Sequence, residues 1–345
     1  MNVLVQSLAA LGGLRDRDAL DTELVRLVLT SAGVALEAAT LVRIVGESDE
    51  RRCLTLAALQ PGQTEPTRDV LWSDWSLLPH VSDFPLRATA LEKGRAATST
   101  GSPYQVVLPI GTPQGLQILL EVTAPHPLTP TTIDLLQSIL LTYQNLLGLL
   151  DYGERDSLTE LLNRKTFDGA FFKATADHNP ALPDDMPDRR HQTPEGGVWL
   201  AVLDIDHFKR VNDNFGHLIG DEVLLLMARL MRTNFRFHDQ LYRFGGEEFV
   251  ILMRCDSADH AEGALERLRE RVLAYAFPQV GTITVSIGVS TLLPNDTPSS
   301  AFGRADKAVY YAKEHGRNQV CNYQTLVAEG KLVEQVADEM DVDLF

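Results

Sequence analysis

The sequence predicts an α+β protein of two domains joined by a helix. Three observations predict it. The chain is 345 residues long, which suggests two domains of ordinary size. Strand-like and helix-like runs alternate in two stretches, residues 1–130 and 156–323, with a helical connector at 131–155 and an acidic tail at 324–345. Hydrophobic residues make up 44% and charged residues 23%, which excludes a disordered acidic polymer and a bundle of membrane helices.

In the first stretch, Leu20, Leu24, Leu27, Val28 and Val34 recur near helical spacing between Asp18 and Ala38. Thr40–Val45 then reads as a strand, and Arg52–Leu59 as its partner. Gln60–Ser102, punctuated by Pro61, Pro66, Pro79 and Pro85 and closed by Pro103, reads as loops and short elements. Tyr104–Ile110 and Leu116–Thr123 form a predicted hairpin across Gly111-Thr112-Pro113-Gln114-Gly115. Ile133, Leu136, Leu140, Tyr143, Leu147 and Leu150 then alternate spacings of three and four. That pattern is either a short coiled-coil seam or the buried face of a helix packed on the first domain. In both cases it leads as a connector into Asp151-Tyr152-Gly153-Glu154-Arg155-Asp156.

In the second stretch, Leu158–Phe172 reads as a helix and His178–Gly197, with Pro180, Pro183, Pro187 and Pro194, as an exposed loop. Val198–Ile205 is an apolar run suited to a buried strand. Gly220–Phe235, Ala261–Ala276 and Ala301–Glu314 read as helices. Gln240–Met253 reads as two strands around a tight turn, and Thr282–Ser290 as another strand. The order indicates helices around a central sheet. Gln324–Phe345 is expected to form a further helix or a free acidic tail.

Charge and cysteine usage narrow the function. With 31 basic against 47 acidic side chains the formal charge is −16, which argues against non-specific binding to a nucleic-acid polymer or an anionic membrane. Any anion must be met by a local site. Cys53, Cys255 and Cys321 are far apart and contain no C-x-x-C pair, so neither a disulfide framework nor a thiolate zinc site is supported. The N-terminus lacks a basic region before an apolar stretch, and Leu135–Leu150, broken by Gln137, Gln144 and Asn145, falls short of a bilayer span. A soluble cytoplasmic protein is expected.

Two acidic clusters carry the chemistry. Leu203-Asp204-Ile205-Asp206 places two carboxylates where an apolar strand runs out, and strand alternation puts Asp204 and Asp206 on one side. In Arg243-Phe244-Gly245-Gly246-Glu247-Glu248-Phe249, the two glycines suit a hairpin turn, and Glu247 and Glu248 project at its tip. Together they make a carboxylate nest without histidine or cysteine, whose oxygen ligands suit Mg²⁺ or Mn²⁺ rather than zinc. Acids beside buried strands are costly unless neutralised.

The hairpin motif, preceded by LDIDHFKRVNDNFGHLIGDEVL, resembles the diguanylate cyclase family, also called GGDEF or GGEEF proteins. DSLTELLNR at Asp156–Arg164, TVSIGVS at Thr284–Ser290 and ADKAVYYAKEHGRN at Ala305–Asn318 add to the likeness, which spans about residues 151–323. The order of elements before residue 130, with VVLPIGTPQGLQILLEV, resembles a GAF-like sensory domain with an antiparallel sheet; its ligand, if it has one, is not readable. The resemblance implies a catalytic sheet like the palm of polymerases, two GTP joined into cyclic di-GMP with release of two pyrophosphates, and a homodimer in which each protomer presents one GTP.

The resemblance also implies residue roles. Asp204, the carbonyl of Ile205 and Glu247 would hold metal, and Glu248 would bind metal or remove a proton. Phe208, Lys209, Asn212, His217, Asp221, Gly246, Lys313 and Arg317 match positions that contact the nucleotide. Arg236 and Asp239 form an R-x-x-D pattern ahead of the glycines that matches an inhibitory product site, with Arg267 as a further arginine. Other readings stand beside these. Asp206 could hold metal or only cap the turn. His217 could satisfy backbone groups, and Lys313 and Arg317 could be ordinary helix C-terminal cations. A bare R-x-x-D is often a local ion pair. Cys53 is read as a small buried hydrophobe, and Trp72 and Trp75 as packing rather than a ligand pocket. The rival function is a silent GGEEF domain that only senses cyclic di-GMP through Arg236 and Asp239. A phosphodiesterase finds no support after residue 323.

Overall fold

A computed structural model describes residues 2–31, 35–46, 50–69, 77–111, 117–176, 196–236 and 238–333. Val34, Trp72 and Trp75, the turn after Gly111, most of the loop from His178 to Gly197 and the last part of the acidic tail lie outside the described residues. The chain divides into two compact units between Gly153 and Glu154.

The first unit begins with helices α1 (Asn2–Gly13) and α2 (Arg17–Ser31), of which only the second was predicted. Strands β1 (Ala38–Val45) and β2 (Arg52–Leu59) pair antiparallel, as their alternation requires. The proline-rich stretch contains helix α3 (Pro85–Lys93), longer than the short elements expected there, with Pro85 at its first position, where a missing N–H costs nothing. Strands β3 (Ala97–Thr98), β4 (Tyr104–Gly111) and β5 (Gln117–Ala124) complete an antiparallel sheet of order β2-β1-β5-β4-β3 among the described residues.

Helix α4 (Pro130–Glu154) has 25 residues, longer than the apolar run that marks it in sequence. By length and composition alone it could cross a bilayer, which corrects the expectation that this segment is too short. Its seam is put to another use. Leu136, Leu140, Tyr143 and Leu147 are buried in one core with Leu20, Leu24 and Leu27 of α2 and Leu41, Leu108 and Leu120 of the sheet. The alternating spacing is therefore the buried face of a helix packed on its own unit. Polar contacts fix the same face: Tyr143 Oη donates to buried Asp21, and Arg17 pairs with Asp151. Burial raises the Asp21 carboxyl to about 6.

The second unit opens with a turn instead of the helix predicted from Leu158. Asp156 Oδ1 accepts from Thr159 N at 2.8 Å and Thr159 Oγ1 at 2.7 Å, and Glu160 has φ +57°, which breaks a helix there. Strand β6 (Leu162–Asn163) follows, and helix α5 (Arg164–Ala176) starts only where Asn163 Oδ1 accepts from Lys165 N at 3.0 Å. The remaining elements are β7 (Gly197–Ile205), α6 (Phe208–Phe215), α7 (His217–Asn234), β8 (Gln240–Gly245), β9 (Glu248–Cys255), α8 (Ala258–Ala274), β10 (Val285–Thr291), α9 (Pro298–Glu314), β11 (Val320–Asn322) and α10 (Tyr323–Ala328). Short α6 was not foreseen as a separate element, and α10 shows that the start of the predicted tail is helical.

The sheet order is β11-β10-β7-β9-β8-β6. Central β7 is buried along nearly its whole length, which explains why it reads as a continuous apolar run rather than an alternating one. Its residues Ala201, Leu203 and Ile205 share a core with Phe249 and Ile251 of β9, Val223 and Met227 of α7, and Leu265 and Leu268 of α8. The acids that interrupt β7 and β9 therefore stand at the same end of the sheet, where both strands leave or enter the core.

Candidate active site

The register of the sheet joins the two acidic clusters. Strand β7 pairs antiparallel with β9 so that Asp204 stands directly opposite Glu248. Cross-strand partners share a face, and like charges in that position repel. Glu247 precedes Glu248 in the turn of the β8–β9 hairpin, where Gly246 has φ +52°, a left-handed conformation that glycine adopts without a Cβ penalty. The three carboxylates carry the electrostatic mark of this crowding. Burial is the largest cause raising Asp204, Glu247 and Glu248 above their ordinary range, and for both glutamates the charge of Asp204 comes next.

Positive charge offsets part of this. Lys313, in the last turn of α9, places Nζ 2.8 Å from Asp204 Oδ1 and lowers all three acids. Arg164 at the start of α5 lowers Glu248, and Asp306 of α9 raises it. Neither Arg164 nor Asp306 was singled out from the sequence. Arg164 had one usable signal: a cation at the first position of a helix opposes the macrodipole, so its charge is wanted elsewhere.

Asp206 lies just beyond β7 and its oxygens are already engaged. Oδ1 accepts from Ser286 Oγ at 2.7 Å, and Oδ2 from Thr284 Oγ1 at 2.7 Å and Asn318 N at 3.1 Å. Ser286 is the partner of Asp204 across β10, so both acids do lie toward one side. The three hydrogen bonds make Asp206 a strut between the end of β7, the start of β10 and the turn after α9. Of the two readings the sequence left open for it, this geometry carries the structural one.

The hairpin turn is clamped from behind. Arg243 donates from Nη2 and Nε to the carbonyl of Gly246, at 2.9 and 3.2 Å, and from Nη1 to Asp156 Oδ1 at 3.0 Å. Burial works against the Asp156 carboxylate, yet hydrogen bonds from Thr159 and Arg243 hold it below its usual range. Phe244 sits at a register shift in the hairpin. Its ring stacks on Phe302 of α9 at 5.3 Å and meets Phe167 of α5 edge-on at 5.0 Å. Turn, α5 and α9 are thereby held together.

The other sequence-selected residues differ in exposure. Phe208 is 4% exposed and its ring belongs to the core, which leaves only its main chain for a ligand. Asn212 is half-buried against Gly220, where an added Cβ would lie 2.0 Å from Asn212 Oδ1. Lys209, His217, Asp221 and Gly246 are exposed around the helix starts and the turn. Arg317 is also exposed, one residue before the Asn318 amide that binds Asp206. The carbonyl-bearing Ile205 is fully buried at the end of β7.

The donor set fits a hard divalent cation. It contains only oxygens; Asp204 raises both glutamates and is itself raised by Asp206 and Asp306, with few cations in reach, a repulsion that a small dication relieves. Among the described residues no three His, Cys, Asp or Glu side chains converge on one point. The expected ligands are two carboxylates and a main-chain carbonyl, a set that needs no third side chain.

A second group lies at the opposite end of the hairpin. Gln240 of β8 faces Leu252, near the Cys255 end of β9. Seven residue steps of β9 separate that end from Glu248, about 23 Å of extended chain. Asp239 Oδ2 accepts from Arg236 N at 2.8 Å, while its Oδ1 is buried 4.0 Å from His238 Nε2 and has no hydrogen-bond partner among the described residues. Burial raises this carboxyl to about 6. Arg236 and Arg267 are exposed, and both, with Asp239, act on the Cys255 thiol, which is pushed up to about 11 mainly by burial. The structure thus joins Arg236 and Asp239 by a hydrogen bond, and the charges of both and of Arg267 reach the same thiol.

Comparison with known proteins bears on the second unit. Residues 154–319 match the family model for the diguanylate cyclase GGDEF domain. The chain is similar to diguanylate cyclase DgcS of Shewanella oneidensis, with 33% identity over 248 residues, covering 68% of this chain and 77% of that one. It is 46% identical over 135 residues to diguanylate cyclase DgcP of Pseudomonas aeruginosa, which covers 38% of this chain and 20% of that protein. Diguanylate cyclase VdcA of Vibrio cholerae is 36% identical over 171 residues, covering 48% of this chain and 45% of that one. The chain therefore spans a fifth of DgcP and under half of VdcA.

Proposed function

This chain belongs to the diguanylate cyclase family of GGDEF-domain proteins, and from that premise we propose that it condenses two GTP into cyclic di-GMP with release of two pyrophosphates. The observation that carries the reading is the register that sets Asp204 opposite Glu248 with Glu247 beside it at the turn. Asp204, the Ile205 carbonyl and Glu247 would hold a divalent cation, Mg²⁺ or Mn²⁺, which when bound neutralises phosphate charge and makes a hydroxyl easier to deprotonate. Glu248 is the residue placed to accept the proton of the attacking 3′-hydroxyl or to share in holding the metal. Its raised affinity for protons brings it nearer to neutral pH, where a base is useful.

The exposed cations Lys209 and Arg317, with Lys313, meet phosphates. Asn212, His217 and Asp221 receive the nucleoside, and Asp221 can accept from the N1–H and N2–H₂ of guanine. Phe208 and Gly246 contribute main-chain groups. Each nucleotide must attack the other, so two protomers face one another with one GTP apiece. The first unit, with its antiparallel sheet, acts as a GAF-like sensory or dimerising module.

Gly220 sets the place of Asn212. Gly220→Ala puts a Cβ where the amide oxygen now lies, so Asn212 must move by more than an ångström. Misplacement of that size costs on the order of 10²-fold in kcat/KM. Steady-state kinetics on GTP, with circular dichroism unchanged, would show it.

Arg236, Asp239 and Arg267 form the inhibitory product site of this reading. The unsatisfied Asp239 Oδ1 supports it, because a guanine edge would supply the missing donor. Incubation of the full chain with GTP and Mg²⁺ should yield cyclic di-GMP that slows its own formation. Asp239→Asn should weaken product binding about tenfold or more and keep the initial rate. Absence of cyclic di-GMP with no phosphodiesterase present, together with absence of pyrophosphate release when a phosphodiesterase removes the product as it forms, overturns the proposed activity. Retained product binding without synthesis would favour the rival reading, a silent sensor.

A further inference from the structure

Lys313 meets Asp204 at the point where the proposed function needs a metal. Its ammonium lies 2.8 Å from Asp204 Oδ1. The two partners differ in freedom: the Asp204 side chain is 10% exposed and the Lys313 side chain 34%. The carboxylate is therefore the fixed member, and the ammonium rides on a flexible four-carbon stem as a point charge without directional demands. The same ammonium acts on Glu247 and, together with Arg164, on Glu248, so among the described residues it is the one cation that reaches all three acids.

We propose that Lys313 is a stand-in cation, which holds Asp204 until a metal-bound nucleotide arrives and then passes to the nucleotide phosphates, so that metal and nucleotide bind cooperatively. This rests on the reading of Asp204 as a metal ligand. A dication arriving alone must displace the ammonium that already neutralises Asp204, and it leaves that ammonium beside two further positive charges. Arrival with a polyphosphate removes the difficulty, because phosphate oxygens accept the displaced ammonium. The exchange keeps the buried Asp204 paired throughout, and breaking such a pair without replacement is strongly unfavourable. Linkage then requires that nucleotide tighten metal binding by the factor by which metal tightens nucleotide binding.

The experiment uses the full chain and Mn²⁺ as probe, with free Mn²⁺ read by electron paramagnetic resonance. Titrations are run with and without guanosine 5′-(α,β-methylene)triphosphate, correcting for chelation by the nucleotide itself. Wild type should bind Mn²⁺ weakly alone and more tightly with the analogue. Lys313→Met should bind Mn²⁺ alone about tenfold more tightly than wild type and lose most of the tightening by the analogue. Lys313→Gln, which keeps a polar end, should behave in the same way, and circular dichroism checks that both fold. Equal or weaker Mn²⁺ affinity in both variants, or undiminished tightening, overturns the proposal. Asp204→Asn separates it from the reading beneath: Mn²⁺ binding that survives this change sinks the metal site, whereas binding that depends on Asp204 but ignores Lys313 sinks only the exchange.

Discussion

Glu247→Gln should lower cyclic di-GMP formation on the order of 10³-fold, because an interaction with developing phosphate charge worth several kcal/mol is lost from the transition state. The same change should raise the midpoint of thermal unfolding measured in EDTA. Burial and the Asp204 charge raise the Glu247 carboxyl, so the folded protein holds that proton more tightly than the unfolded chain does. For a carboxylate shifted upward, the cost of ionisation is absent below the unfolded value and grows as pH rises through the folded one. Wild type should therefore lose stability as pH climbs from the ordinary glutamate value of 4.5, and the amide variant should be spared that part of the loss. Activity against GTP and calorimetry in EDTA, each over pH, check the two halves. Unchanged turnover would sink the catalytic role, and a lower midpoint would sink the account of the crowded nest. Product binding should survive, since Arg236 and Asp239 lie at the other end of the hairpin.

Arg304→Ala should destabilise the second unit by about 3–5 kcal/mol, the cost of stranding one partner of a buried ion pair. Arg304 of α9 is 7% exposed. It grips Asp296 with both Nη atoms, and donates from Nε to Ser290 Oγ and from Nη2 to Thr291 O, each at 3.1 Å. Removing the guanidinium leaves the largely buried Asp296 carboxylate without its cation, held only by Leu293 N and Ser300 Oγ, while Ser290 Oγ and the Thr291 carbonyl each lose one of their donors. Urea unfolding at pH 7 should show the loss, and the thermal midpoint should fall by about 10 °C. Burial opposes the charge on Asp296, but the bond from Arg304 leads the causes that lower it. A downward shift means that the stabilisation is present above the ordinary value of 3.8 and is lost as pH falls through the folded one. The difference between wild type and variant should thus shrink on acidification. A variant as stable as wild type at pH 7 would show the pair to be dispensable.

The acidic nest was legible because carboxylates interrupting apolar strand runs are conspicuous, and Gly245-Gly246 announced the turn that presents two of them. Strands β1, β2, β7, β8 and β9 were legible for a similar reason: their periods or buried runs are clean. Arg243 was not. Its role depends on the register that brings Asp156 and the Gly246 carbonyl to one guanidinium, 87 residues apart in sequence in the case of Asp156. Asp206 was ambiguous because Thr284, Ser286 and Asn318 reach it only through β10 and the turn after α9. The helix expected from Leu158 failed on local chemistry that sequence contained: an aspartate three residues before a threonine can close a turn instead. For α4, the spacing was read correctly but could not say which surface covers it.

The clamp on the hairpin has a bearing on modular construction. Asp156, Thr159, Arg243 and Gly246 all lie within the second unit, and Asp156 comes two residues after the end of α4. The second unit thus carries its own socket, with one guanidinium linking the incoming chain to the turn that bears Glu247. Any upstream module that delivers a chain to this socket feeds the same contact, whatever its own fold. Replacement of everything before Asp156 by an unrelated helix should therefore leave the clamp on the turn intact, because none of its four members comes from the segment removed.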